Sequence, residues 1–178
     1  MFKKTLTILC MITFLLASLT GCGNAIKEEA RMPDSPFTEA TWEFTPEDVI
    51  ALENSEYRTY ESVYMGQTYT FAKEYLGRPG TVKYMFDDKD ALKCVAWTYS
   101  GDINDLQTLQ TLYDEIHTQL VEKYGESGYN AADSTSGGDV WYFETGNILI
   151  STMITTDATA LQFSYLHPDV SHEPKTSK

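Results

Sequence analysis

The sequence predicts an α+β domain: an antiparallel sheet of about six to seven strands with two helices packed on one face, in the order α-β(3–4)-α-β3. Three observations carry that expectation. A capped helix start stands at Thr45-Pro46-Glu47-Asp48. Period-two alternation marks strands in the middle of the chain and again near its end. Between those two regions, one long apolar stripe recurs at helical spacing.

Each element follows from local chemistry. Thr45 suits an N-cap, Pro46 the first helical position, and Asp48 at the third position complements exposed amides. Phe44 before the cap is placed to pack on Val49, and this first helix runs to about Asn54, burying Val49 and Leu52. Tyr57 to Tyr64 reads as a first strand. Tyr69-Phe71-Lys73-Tyr75 and Val82-Tyr84-Phe86 alternate around a Gly77-Arg78-Pro79-Gly80 turn. After the polar turn Asp87-Asp88-Lys89-Asp90, the stretch from Ala91 to Tyr99 puts Leu92, Cys94 and Ala96 on one face. Val95, Trp97 and Tyr99 fall on the other.

The second helix spans about Ile103 to Tyr124. Leu106, Leu109, Tyr113, Ile116, Leu120 and Tyr124 form its stripe, with Leu112 beside them. Asp102 or Asn104 caps its start, and Gly125 ends it in the manner of a left-handed cap. Glu126 to Gly138 is rich in Ser, Gly and Asp and reads as a long mobile loop. Val140 to Glu144, Ile148 to Ile154 and Thr159 to Leu166 close the chain as three strands, the first two joined at Gly146-Asn147. No internal repeat is apparent.

The chain begins with Met1-Phe2-Lys3-Lys4 and an uncharged apolar run from Thr5 to Thr20. Such a basic-then-apolar layout is that of an export signal. About 15 residues of helix reach roughly 22 Å, short of the roughly 30 Å hydrocarbon core of a bilayer. Leu19-Thr20-Gly21-Cys22 resembles the lipobox of bacterial lipoproteins. That resemblance implies a diacylglyceryl group on the Cys22 thiol and cleavage between Gly21 and Cys22. It implies a location on the extracytoplasmic side of the cell membrane, held there by lipid. The expected organisation is a signal peptide over 1–21, a lipidated flexible tether over 22–41, one domain over 42–166 and a disordered tail over 167–178.

Charge and cysteine usage agree with that organisation. Removing Lys3 and Lys4 from the 13 basic residues leaves 11 against 26 acidic ones. So acidic a chain repels phosphate backbones, which argues against nucleic-acid binding, and it repels anionic lipid head groups. Cys10 lies in the apolar run and Cys22 is assigned to lipid, so only Cys94 remains and no disulfide within the domain is expected. Cys94 reads as a buried structural thiol.

The helix start at Thr45 to Val49, the Val82-Lys83-Tyr84-Met85-Phe86 strand, the helix end Leu120-Val121-Glu122-Lys123-Tyr124-Gly125 and the late Trp141 and Ile148 strands resemble a group of small exported bacterial domains. Helix-plus-meander modules of outer-envelope assembly lipoproteins and of secreted enzyme inhibitors are a more distant likeness. These motifs record core and turn requirements, so the resemblance carries over no catalytic or binding residue.

Chemistry-bearing motifs are missing from the sequence: Gly-x-Ser-x-Gly, a phosphate-binding glycine loop, His-Glu-x-x-His and Cys-x-x-Cys. His117 falls on the second helix beside Ile116, while His167 and His172 with Asp169 and Glu173 fall in the polar tail. Asp87, Asp88 and Asp90, and Asp102 with Asp105, read as turn and cap residues, without the spacing of a calcium loop. Neither a cofactor nor a metal ligand nor a catalytic residue is therefore assigned, and the chain is not expected to be an enzyme. Tyr57, Tyr60, Tyr64, Tyr69, Tyr75, Tyr84, Trp97 and Tyr99 crowd 43 residues. Aromatics favour strands, and they also favour recognition surfaces where a sheet face is open. The expected function is a membrane-anchored binding module for a protein, peptide or glycan of the cell envelope, and the alternative is a small envelope hydrolase acting on wall or glycan. Val95, Trp97 and Tyr99 are candidate contact residues and equally candidate core.

Overall fold

A computed structural model describes residues 32–132 and 135–173. Helix α1 (Pro46–Glu53) starts on a complete capping box, with the Thr45 side chain accepting from the Asp48 amide and the Asp48 carboxylate accepting from the Thr45 amide at 2.9 Å. Asn54 closes it in the left-handed conformation. Four strands follow as a meander: β1 (Tyr57–Glu61), β2 (Met65–Ala72), β3 (Thr81–Asp87) and β4 (Leu92–Asp102). A 3₁₀ turn at Ile103–Asp105, capped by Asp102, leads into helix α2 (Leu106–Tyr124), which ends where Gly125 turns to φ 81°. A second meander completes the chain: β5 (Tyr129–Ala132), β6 (Ser136–Trp141), β7 (Asn147–Ile154) and β8 (Ala158–Leu166).

The eight strands among the described residues form one antiparallel sheet in the order β1-β2-β3-β4-β8-β7-β6-β5. The expected six to seven strands in the order α-β(3–4)-α-β3 are thus corrected to α-β4-α-β4. The added strand is β5. It lies with the start of β6 inside the stretch 126–138 that composition assigns to a mobile loop. Small residues and three glycines conceal it, because no alternation marks this stretch. Pairing of β5 with β6, and of β6 with β7, supplies the order instead.

Two like halves emerge, each a helix followed by a four-strand meander, joined through β4 and β8. At the joint Trp97 stands opposite Phe163, and Val95-x-Trp97-x-Tyr99 corresponds to Leu161-x-Phe163-x-Tyr165. Only the apolar character of these positions recurs, which is too little identity to read as a repeat.

One face of the sheet carries the core. A lateral row runs Phe71, Val82, Trp97, Phe163, Ile150, and beside it a second runs Tyr84, Val95, Tyr165, Ile148, Trp141. All ten are at most 2 % exposed. On this face lie Val49 of α1 and Leu109, Leu112, Ile116 and Leu120 of α2. Full burial of a side chain such as Val49 contributes about 1.5–3 kcal/mol. Leu106, at the head of the expected stripe, is exposed.

Residues 32–41, which composition places in a tether, lie on the same face. Met32, Phe37 and Ala40 are buried, and the Phe37 ring meets Tyr75, Phe163 and Tyr165 edge-on at centroid distances of 5.3–6.0 Å. After β8 the chain is also engaged: Lys93 pairs with Asp169 at 2.9 Å and Asn147 donates to Ser171 Oγ at 2.7 Å.

The assignment of residues to faces in β4 differs from simple alternation. Phe86 pairs with Leu92 while Met85 pairs with Cys94, so Lys93 is an extra residue, a β-bulge. The bulge moves Leu92 onto the core face beside Phe86 and leaves Cys94 and Ala96 on the opposite face. Val95, Trp97 and Tyr99 are core. They are not contact residues.

Candidate functional site: the helix-free sheet face

Among the described residues, both helices and segment 32–42 pack on one side of the sheet, and the other side presents a different chemistry. One row crosses its full width: Arg58, Thr70, Lys83, Ala96, Ser164, Leu149, Val140, Tyr129. Alternation and cross-strand register dictate this membership, since each residue is one step along its strand from a residue of the opposite face. Small side chains occupy the middle, with Ala96 and Ser164 fully buried among their neighbours. Long ones stand toward the edges.

Each edge holds a cleft. Near β5 a cleft of about 330 Å³ is lined by Tyr129, Val140 and Leu149 with small residues between them. The other, about 680 Å³, lies over the start of β1, the end of β2 and the start of β3. Its lining includes Tyr57, Arg58, Tyr60, Thr70, Thr81 and Lys83, with Glu56 its one carboxylate.

Among the described cations, Lys73, Lys93 and Lys123 each pair with a carboxylate, whereas Arg58, Arg78, Lys83 and Lys89 make no ion pair, and two of these four, Arg58 and Lys83, share this cleft. Burial pulls the Lys83 pKa down, and nearby Cys94 works against it. Both cations flank Thr70 from neighbouring strands, which sets their backbones about 10 Å apart at two strand spacings. Thr98, opposite Thr81 on β4, has a buried hydroxyl with no hydrogen-bond partner among the described residues. Cys94 is buried on this face too, and burial pushes its thiol up to about 12. Tyr64 is likewise raised to about 12, first by burial and then by Cys94.

Two buried carboxylates elsewhere are already committed to their neighbours. Asp139, on the core face of β6, accepts from Ser127 at 2.6 Å, from Asn130 at 2.8 Å and from the Tyr113 hydroxyl. Burial raises its pKa, but those bonds and His117 at 3.9 Å outweigh burial and hold it below the ordinary value. His117 is partly exposed and stacks on Tyr113. Glu53 is similarly saturated, taking Lys73 at 2.9 Å and the Tyr84 hydroxyl at 2.6 Å, while Tyr84 also bonds Thr38. These two networks are struts. They tie the helices and segment 32–42 to the sheet. A third cleft, about 230 Å³ between residues 34–36 and α2, has its Tyr75 and Tyr165 hydroxyls and Lys123 engaged by Gln119 and Asp34.

The acids singled out in the sequence serve local backbone. Asp87 accepts from the Lys89 and Ala91 amides, and Asp102 from the Asn104 amide. His167 contacts Asp169 at 3.4 Å. Among the described residues no group of three or more His, Cys, Asp or Glu is placed to share a metal ion. Cys22 and its lipobox lie outside the described residues, and no described helix is long and apolar enough to cross a membrane. Sequence reasoning overlooked Arg58 and Lys83, although both stand one residue from aromatics that alternate onto the core face. Compared with protein-family models, with curated proteins and with solved structures, the chain matches none.

Proposed function

We propose that the chain is a bacterial lipoprotein, held on the extracytoplasmic side of the cell membrane by lipid on Cys22. Its domain is a binding module whose helix-free sheet face meets a protein, peptide or glycan of the cell envelope. The observation that carries this reading is the full-width row from Arg58 to Tyr129, which ends in a cleft at either side while every described helix lies behind the sheet. Antiparallel sheets commonly keep one face for solvent or partner. Supporting it, the buried carboxylates Asp139 and Glu53 are saturated by their own neighbours.

Photo-cross-linking tests the face. A photoreactive residue at Thr70 or Gln162 should form an adduct with an envelope partner, and one at Gln110 or Glu122 on the outer side of α2 should not. Equal adducts from both sides would remove the assignment. The anchor is tested separately: Cys22→Ser should abolish lipid labelling and leave the precursor uncut after Gly21, and normal processing of that variant would end the lipoprotein reading.

A further inference from the structure

We infer that the cleft over β1, β2 and β3 is a binding site for a carboxylate-bearing oligosaccharide, an inference that rests on the helix-free face being the binding face. The cleft holds two cations without ion-pair partners among the described residues, in a chain whose acids outnumber its bases 26 to 13. Lys83 is half-buried there, and desolvating an ammonium without a compensating anion costs free energy. An anionic ligand supplies that missing partner. Arg58 offers a planar fork that matches a carboxylate, and Lys83 offers a second point charge.

The remaining lining selects the sugar. Tyr60, on the same face of β1 as Arg58, is 48 % exposed, and its ring is a flat apolar surface at the rim on which a sugar ring stacks. Thr70 and Thr81 line the floor; the Thr70 hydroxyl donates to the Arg58 carbonyl at 3.1 Å and keeps its lone pairs for an incoming donor, and the buried hydroxyl of Thr98 lies across from Thr81 on β4. An acidic peptide would use the cations but would also need apolar pockets for its side chains. This floor is threonine and alanine, and its one large apolar residue, Phe71, is covered. The acidic surface elsewhere does not forbid such a ligand, since at physiological ionic strength charges beyond about 8 Å are largely screened. What the ligand meets is the local pair.

Titration calorimetry on the soluble chain beginning after Cys22, at physiological salt, tests the inference with three probes: tetragalacturonate, neutral maltotetraose and hexaglutamate. Tetragalacturonate should bind best. Lys83→Met and Arg58→Met should each weaken it by at least about tenfold, as loss of a hydrogen bond to a charged group does. Tyr60→Ala should weaken it with unchanged melting temperature, and Lys83→Arg should restore most of the affinity. Equal binding of maltotetraose would overturn the role of charge, and preferential binding of hexaglutamate would replace the sugar with a peptide. Absence of tetragalacturonate binding overturns the inference outright. If photo-cross-linking at Thr70 nevertheless captures a partner, only the ligand class has failed; if it too is silent, the binding face itself has failed.

Discussion

Asn130 and Asp139 stand opposite each other across the β5–β6 ladder, and the Asn130 amide donates to the buried Asp139 carboxylate at 2.8 Å. The bond fastens an edge strand of small residues to the core, because the same carboxylate also takes Ser127 and, from α2, Tyr113. Asp139→Ala removes three hydrogen bonds to a buried charged acceptor and should cost about 1–3 kcal/mol. Urea unfolding should report that loss, and hydrogen exchange should show β5 losing protection before β3. If β5 in the parent chain exchanges as fast as an unstructured loop, the strut is not formed.

The same carboxylate sets part of the acid limb of stability. Its native pKa lies below the ordinary 3.8. A depressed carboxylate contributes stability that is complete above the unfolded-state pKa and is lost as pH falls through the native one. Thermal melts from pH 7 down to 2 should therefore fall less steeply below pH 4 for Asp139→Asn than for the parent. Parallel limbs would show that Asp139 titrates as it does in the unfolded chain.

Cys94 is expected to be inert in the folded domain. Burial raises its thiol from 9.0 to about 12, so it stays protonated at neutral pH and is shielded from reagent. Labelling should be slow in native protein and fast in denaturant. A raised native pKa stabilises the fold below 9.0, and this contribution disappears as pH rises toward 12. Cys94→Ala should accordingly soften the alkaline decline. Rapid labelling of native protein would place the thiol at the surface.

Gly80 is held by a side chain on the neighbouring strand. A Cβ built there falls 2.5 Å from ring atoms of Trp97, whose indole also donates to the Lys73 carbonyl at 2.9 Å. Trp97 is fully buried, so the ring cannot swing away into solvent. Gly80→Ala should cost about 1–3 kcal/mol, the range for overpacking. A neutral substitution in chemical denaturation would mean that the ring relaxes freely.

Thr45→Ala removes one half of the capping box of α1 and should cost about 1 kcal/mol. Adding Asp48→Ala to it should cost less than the sum of the two single losses, because the residues bond each other. Strict additivity in a double-mutant cycle would argue that the box is open in solution.

What the sequence determined by itself was everything that depends on near neighbours along the chain. The α1 cap at Thr45, the α2 run ending at Gly125, and the strands at Val82, Ile148 and Thr159 are set by hydrogen bonds and side-chain spacing within a few residues. Tertiary structure decided the rest. Strand β5 exists because β6, Asp139 and Tyr113 hold it, and its own small residues announce no preference. Met32 and Phe37 leave no periodic pattern, yet the core buries both, Phe37 against Phe163 of β8. The faces of β4 turned on one bulge at Lys93, which is set by pairing with β3 and reverses the side to which Leu92 belongs. Arg58 and Lys83 share a cleft only because three strands lie in register, so their residues approach across hydrogen bonds and not along the chain. Contacts between residues far apart in sequence carry no local signature, and here they place both the core and the candidate site.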